Sequence, residues 1–171
     1  PETLEDRWTQ SALTVQGKIG NFDLTYAYTH LSRDIDGAAD YSDYTFWYDA
    51  YYQNYYHSQG LPNYYSEAFV DDSGNPINPS QYILSDDQYT KRSHELRISS
   101  PQDWRMRFLV GAFWQQQSHD ILQNYKIVGD LQTPLEVTGW PDTIWLTDQV
   151  RQDHDEAVFG ELSFDVTDKL T

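Results

Sequence analysis

Cysteine is missing from this chain of 171 residues, and lysine and arginine are missing from the whole stretch between Asp34 and Thr90. The absence of thiols excludes a disulfide framework and thiolate chemistry. No run of about 18 apolar residues occurs either, which excludes a transmembrane helix. With 11 basic against 27 acidic residues and a net charge of −16, the chain lacks the clustered cations of nucleic-acid-binding proteins, so no nucleic-acid partner is expected.

Large aliphatic residues are scarce as well. Hydrophobic residues make up 39% of the chain, and many of them are tyrosine and tryptophan rather than the usual side chains of a globular core. Disorder is a poor alternative, because 16% of the residues are aromatic. An aromatic-rich and polar composition is typical of transmembrane β-barrels, whose interior is wet and whose outer face needs only a thin apolar band.

Short stretches that alternate apolar and polar residues indicate five β-strands. The predicted strands cover residues 8–16, 22–33, 88–99, 104–120 and a last stretch that starts between 145 and 150 and ends near 166. Short turns are predicted at 17–21 and at 100–103, the latter with Pro101 at its second position, and long loops at 34–87 and 121–144. We therefore predict an all-β fold, an antiparallel up-and-down meander that is part of a transmembrane β-barrel with long extracellular loops.

The last strand carries the clearest two-sided pattern. Its apolar positions, predicted to meet lipid, are Val158, Leu162, Phe164 and Val166. The opposite face, predicted to line the lumen, carries Ala157, Phe159, Glu161, Ser163 and Asp165. Near predicted strand ends, where barrels have aromatic girdles at the membrane interface, lie Trp8, Trp104, Trp114 and Trp145.

The predicted loop at 34–87 holds ten of the 14 tyrosines and many acids. Tyrosine rings offer flat apolar faces with a hydrogen-bonding tip, and such faces stack on sugars, aromatic groups and cations. Two interpretations stay open, because the rings either bind a small ligand or pack on one another to order the loop. The acids favour a neutral or cationic ligand. The predicted ligand-binding residues are Tyr41, Tyr44, Trp47, Tyr48, Tyr51, Tyr52, Tyr55, Tyr56, Tyr64 and Tyr65.

Metal binding and catalysis find little support. Histidines adjoin acids at 94–95, 119–120 and 153–156, but neighbours on a strand point to opposite faces, so no metal site and no cofactor are expected. Residues 71–75 superficially resemble a calcium loop, yet their glycine comes too early, and a turn is predicted instead. The run 93–95 supplies Ser, His and Glu consecutively, which forbids a triad on a strand, so no enzymatic activity is expected.

Three segments resemble strands and turns of TonB-dependent outer-membrane receptors. They are SHELRISSP at residues 93–101, RFLVGAFW at 107–114 and VFGELSFDVTDKLT at 158–171. The resemblance implies a location in the bacterial outer membrane and a barrel of about 22 strands with an N-terminal plug. It also implies transport that is energised by the TonB complex.

The chain contains neither the plug, nor a TonB-contacting segment, nor a C-terminal aromatic strand. Residues 1–171 are therefore predicted to be an internal piece of the barrel, too small to close one alone, since the smallest have about eight strands. The implied function is TonB-energised uptake of a small ligand such as a ferric siderophore, a vitamin or an oligosaccharide. Its implied partners are that ligand at the extracellular loops, outer-membrane lipid, and the TonB complex through the absent plug. The alternative is a soluble, β-rich carbohydrate-binding module that uses the Tyr-rich loop.

Overall fold

A computed structural model describes residues 2–60 and 69–167 of the chain, without the side chains of residues 52–54, 56 and 57. Five antiparallel strands form one open sheet, and each strand is hydrogen-bonded to the next one in the sequence. The strands are β1 (Thr3–Ile19), β2 (Phe22–Asp40), β3 (Gln81–Ser99), β4 (Met106–Ile127) and β5 (Thr143–Phe164). One α-helix, α1 (Ser42–Ser58), and a short 3₁₀ helix (Thr133–Leu135) lie in the long connections. The predicted up-and-down β-meander is thus confirmed.

The strands are longer than predicted. Residues 34–40, 81–87 and 121–127 were assigned to loops, but they belong to β2, β3 and β4. Pairing continues to the ends of these strands, where the backbone N–H of Tyr41 donates to the carbonyl of Gln81 at 2.8 Å. The added residues mix polar and apolar side chains without a regular alternation, so little in the sequence marks where each strand ends.

The middle of the predicted loop at 34–87 is the helix α1, so the assignment of that part to a loop was wrong. No glycine or proline occurs between Gly37 and Gly60, and nothing in that stretch interrupts a helix. Aromatic residues recur there at spacings of three and four, as in Tyr41, Tyr44 and Tyr48, which brings them to one side of a helix. This spacing indicates a helix, but a count of residue types does not reveal it.

The first short turn is tighter than predicted, and the second is shifted by one residue. The first is a two-residue turn that starts at Gly20, whose φ of 59° suits the first central position of a type II′ hairpin turn. In the second, the N–H of Trp104 donates to the carbonyl of Pro101 at 3.4 Å, so the proline occupies the first position and not the second. The reason is that Ser100 stays hydrogen-bonded to β4, which delays the turn by one residue.

The chain divides into two compact units. The first, here called the loop unit, comprises residues 1–7, 34–87 and 120–149. The second, here called the turn unit, comprises residues 8–33, 88–119 and 150–171. The sequence of the loop unit carries 18 acidic and two basic residues, whereas that of the turn unit carries nine of each. The entire net charge of −16 therefore belongs to the loop unit.

Buried apolar side chains are few. Among the described residues they are Phe69, Ile127 and Leu131, with Ile77 and Ile144 packed against them. All of these belong to the loop unit. In the described part of the turn unit no large apolar side chain is buried, and the sheet there has no core of its own.

Candidate functional site

Buried polar contacts fix the first turn of α1 to the start of β3 within the loop unit. Thr45 is 1% exposed, donates from Oγ1 to the carbonyl of Pro79 at 3.0 Å, and accepts from Nε2 of Gln81 at 2.6 Å. Oγ of Ser42 also donates to the carbonyl of Gln81, at 3.3 Å. Since Gln81 is itself buried and begins β3, the helix is attached where that strand starts.

An aspartate stabilises the start of α1. The Asp40 carboxylate accepts the backbone N–H of Ser42 at 2.8 Å. Hydrogen bonds from the backbone and the side chain of Ser42 favour the charged form and hold the pKa of the Asp40 carboxyl below its ordinary value. Asp43 lies in the first helical turn, where a negative charge is favourable.

Aromatic rings form a ladder along α1. The rings of Tyr41 and Tyr44 stack at a centroid distance of 4.8 Å, and the Tyr44 hydroxyl donates to that of Tyr48 at 2.7 Å. Further along, Trp47 stacks on Tyr51 at 5.1 Å. Since each ring is held by a neighbour, the ladder presents its outer faces at little further cost in conformational entropy.

A crevice of about 350 Å³ opens beside the first rings of this ladder. We call it the aromatic crevice, and it is lined by Tyr41, Tyr44, Gln81, Tyr125, Ile144 and Trp145. Tyr125 stands edge-on to Tyr41 at 5.6 Å, while Trp145 is 64% exposed. Flat rings with a few hydroxyl and amide groups suit a small ligand that has both a ring face and hydrogen-bonding groups.

The structure brings part of the predicted binding set together. Tyr41 and Tyr44 line the aromatic crevice, whereas the following residues lie further along α1: Trp47, Tyr48, Tyr51 and Tyr55. Four predicted residues lie outside the described residues or side chains: Tyr52, Tyr56, Tyr64 and Tyr65. The rings thus pack on one another, as one interpretation predicted, and the first two also border a crevice, while ligand binding stays a prediction.

Sequence reasoning missed the strand residues of the crevice. Gln81, Tyr125 and Ile144 fell in segments predicted to be loops, and Trp145 was expected to belong to a membrane-interface girdle. Tyr125 on β4 and Trp145 on β5 become neighbours only once both strands are extended to the ends seen in the structure. They could have been found only by extending the predicted strands β3, β4 and β5 into the segments that were predicted to be loops.

Replacing Thr45 by valine should loosen the start of α1. The substitution keeps the shape of the side chain but leaves the buried amide of Gln81 without its 2.6 Å partner, a loss worth about 1 to 3 kcal/mol. Hydrogen exchange of the α1 amides should therefore become faster. Thr45→Ser, which keeps the hydroxyl, should change exchange much less, and equal acceleration in both variants would contradict the anchoring role.

The acidic stretch at 71–75 is a turn, as predicted. Oδ1 of Asp71 accepts the N–H groups of Ser73 and Asn75, both at 2.8 Å, and Gly74 has a φ of 82°. Hydrogen bonds from the side chain and then the backbone of Asn75 hold the pKa of the Asp71 carboxyl below its ordinary value. No group of three or more His, Cys, Asp or Glu residues suited to a metal ion occurs in the part of the chain that the structure describes.

One face of the sheet in the turn unit is a hydrogen-bonded network. The Tyr89 hydroxyl donates to Gln117 at 2.8 Å, and the Gln117 amide donates to Asp153 at 2.8 Å. Arg107 donates to both carboxylate oxygens of Asp165, at 2.5 and 2.8 Å. We call this side the hydrogen-bonded face.

The opposite side, here called the apolar face, carries aromatic contacts without a covering layer. Phe22 lies 5.9 Å from Phe108, and the His94 ring stacks on Trp114 at 5.0 Å. His94 Nδ1 also shares a 2.7 Å hydrogen bond with the Tyr26 hydroxyl. The large exposed side chains of this face include Leu96, Val110, Val158, Leu162 and Phe164.

The two-sided pattern predicted for β5 is confirmed. Asp165 pairs with Arg107 on the hydrogen-bonded face, and on the same side the Phe159 ring covers Gly111 so closely that a Cβ there would overlap it. On the other side, Val158 is 82% and Leu162 is 70% exposed. A single sheet thus has one polar, internally bonded face and one apolar, uncovered face.

Comparisons with protein-family models, with curated proteins and with solved structures found no match for the chain. Among the described residues, no helix combines the length and the apolar character that a membrane span requires. Function therefore has to be inferred from the chemistry of the two faces and of the aromatic crevice.

Proposed function

We propose that this chain forms part of the wall of an outer-membrane β-barrel receptor of the TonB-dependent kind, which takes up a small ligand. The observation that carries the proposal is the contrast between the two faces of the turn unit. The hydrogen-bonded face suits a water-filled lumen, and the apolar face suits lipid. No other element in the described residues covers the apolar side chains.

Water is a poor environment for that apolar face. Contiguous exposed apolar patches of more than a few hundred Å² are rare on soluble monomers and mark interaction surfaces. Burial of such area contributes about 25 cal/mol for each Å² removed from water. Contact with lipid chains gives the same benefit as a protein core, and it needs no second layer.

The edges of the sheet support closure by further strands. β1 and β5 are the outer strands of the open sheet, and every residue of β1 is exposed. Unpaired edges of this length invite pairing, and a barrel removes them altogether. The strands have 17 to 22 residues, whereas about 9 to 11 suffice to cross the hydrocarbon layer. The excess is what strands that continue beyond the membrane require.

The ligand is proposed to bind at the aromatic crevice of the loop unit. Its rings and hydroxyl groups suit a vitamin, an oligosaccharide or an aromatic chelate. The charge of −16 in the loop unit favours neutral or cationic ligands over highly anionic ones.

The rival, a soluble carbohydrate-binding module, requires a closed set of strands and a continuous core. The described residues instead form an open sheet with three buried hydrophobic residues. No observation in the structure favours the rival over the receptor.

Cell fractionation tests the proposed location and function together. The receptor that contains this chain should sediment with the outer membrane and migrate on gels in a heat-modifiable form, as folded barrels do. Cells that lack it should lose uptake of one member of a labelled panel of cobalamin, ferric chelates and oligosaccharides. Recovery as a soluble periplasmic or cytoplasmic monomer would contradict the proposal.

A further inference from the structure

A second crevice, of about 220 Å³, crosses β3, β4 and β5 in the turn unit. It is lined by Thr90, Arg92, Gln116, Gln117, Ser118, Gln152 and His154. Apart from Gln117, which is bonded to Asp153 on the hydrogen-bonded face, these residues alternate along their strands and therefore share one side of the sheet. We call it the donor crevice.

The donor crevice adjoins the rim of the apolar face. His94 stacks on Trp114 across β3 and β4, and this pair marks the aromatic edge of that face. Two residues further along each strand, on the same side, Arg92 therefore faces Gln116. The hydrogen-bonded pairing of β4 with β5 then aligns His154 with this row. Along the sheet, the apolar side chains are followed by the aromatic row of His94 and Trp114. The next row holds the basic and amide side chains of the donor crevice.

The side chains of the donor crevice suit an anion. A guanidinium binds phosphate oxygens through paired N–H groups, and amides and hydroxyl groups can donate to the remaining oxygens. No carboxylate lines the crevice, and Glu156, the next acid on this side of β5, lies one row nearer the apolar face. Arg92 forms no ion pair with any acid in the described part of the chain.

One further observation points to the same kind of ligand. The turn unit has equal numbers of acids and bases, whereas the loop unit carries the whole net charge of −16. An anion therefore meets far less repulsion at the donor crevice than in the loop unit.

We propose that the donor crevice binds the phosphate headgroup of an anionic membrane lipid whose acyl chains lie along the apolar face. The inference rests on the proposed membrane location. Continuity with the apolar face selects a lipid rather than free phosphate, because both ends of an amphiphile then find a matching surface. Basic residues near headgroups favour anionic lipids in this way.

Spin-labelled lipids test this site in the complete receptor, reconstituted in phosphatidylcholine vesicles. The fraction of motionally restricted label should be greater for phosphatidic acid than for phosphatidylcholine, with a relative association constant of about five. Arg92→Gln should bring this ratio close to one. Lys91→Gln removes the same charge from the adjacent position on the other side of β3, and it should leave the ratio unchanged.

The outcomes separate the lipid site from its alternatives. An unaltered ratio in Arg92→Gln, or no preference in the unmodified receptor, would overturn the site although the receptor folds. Complete displacement of the labelled lipid by millimolar inorganic phosphate would indicate a free-phosphate site and also contradict the proposal. A receptor that gives no heat-modifiable form in vesicles fails the proposed function itself, and the lipid site falls with it.

Discussion

Val158→Arg should remove most of the folded receptor from the membrane. Val158 is 82% exposed and lies on the apolar face of β5, between the row of the His94–Trp114 pair and the end of the strand at Phe164. An arginine on a lipid-facing strand near the midplane costs about 2 to 4 kcal/mol, which corresponds to a factor of roughly 30 to 900 in the folding equilibrium. The heat-modifiable fraction after refolding into vesicles measures the effect.

Ala157→Arg is the matched control for this substitution. It adds the same side chain one residue earlier, on the side where Gln115 donates to Asp155 at 2.8 Å. There the new charge meets water and a nearby carboxylate, so the folded fraction should change little. Equal losses in the two variants would show that the two faces do not differ in solvent.

Removal of two rings from the aromatic crevice should weaken ligand uptake by tenfold or more. In Tyr44→Ala with Trp145→Ala, the crevice loses one ring from α1 and one from β5. Each ring contributes on the order of 1 kcal/mol beyond the area that it buries, and tenfold in affinity corresponds to about 1.4 kcal/mol. The apparent affinity for uptake of the native ligand by intact cells measures the change.

Phe46→Ala controls for the loss of an exposed aromatic ring from the same helix. Phe46 lies on α1 but does not line the aromatic crevice. Uptake by this variant should stay near the unmodified level, and the heat-modifiable fraction should be unchanged in all the variants. Normal uptake by the Tyr44 and Trp145 double variant would mean that the ladder is only a self-packed cover and that the ligand binds elsewhere.

The sheet could be predicted because several of its central strand segments, such as the second half of β5, alternate apolar and polar residues. The sequence assigned Leu162 on β5 and Asp165, just beyond its end, to opposite faces, and the Arg107–Asp165 pair places Asp165 on the polar side. The outer parts of the strands could not be predicted in the same way. Residues 34–40 and 81–87 mix polar and apolar side chains without a regular alternation, so their pairing depends on the neighbouring strand and leaves little trace in local hydrophobicity.

The candidate site was predictable only in part for a related reason. The tyrosines were found by their density, but their arrangement depends on α1, whose period of three to four residues a count of residue types does not reveal. Thr45 shows the limit most clearly. A threonine among aromatic residues gives no local signal that it will be 1% exposed and bonded to Gln81, 36 residues later in the chain.

The central claim is that the two faces of one sheet meet different solvents, and nitroxide accessibility tests it most directly. The chain has no cysteine of its own, so Leu162→Cys and Ser163→Cys each create a single labelling position within it. In the reconstituted receptor, the label at 162 should be relaxed mainly by lipid-dissolved oxygen, and the label at 163 mainly by a water-soluble nickel chelate. Preferential relaxation of both labels by the nickel chelate would contradict the account, because it would put the apolar face in water.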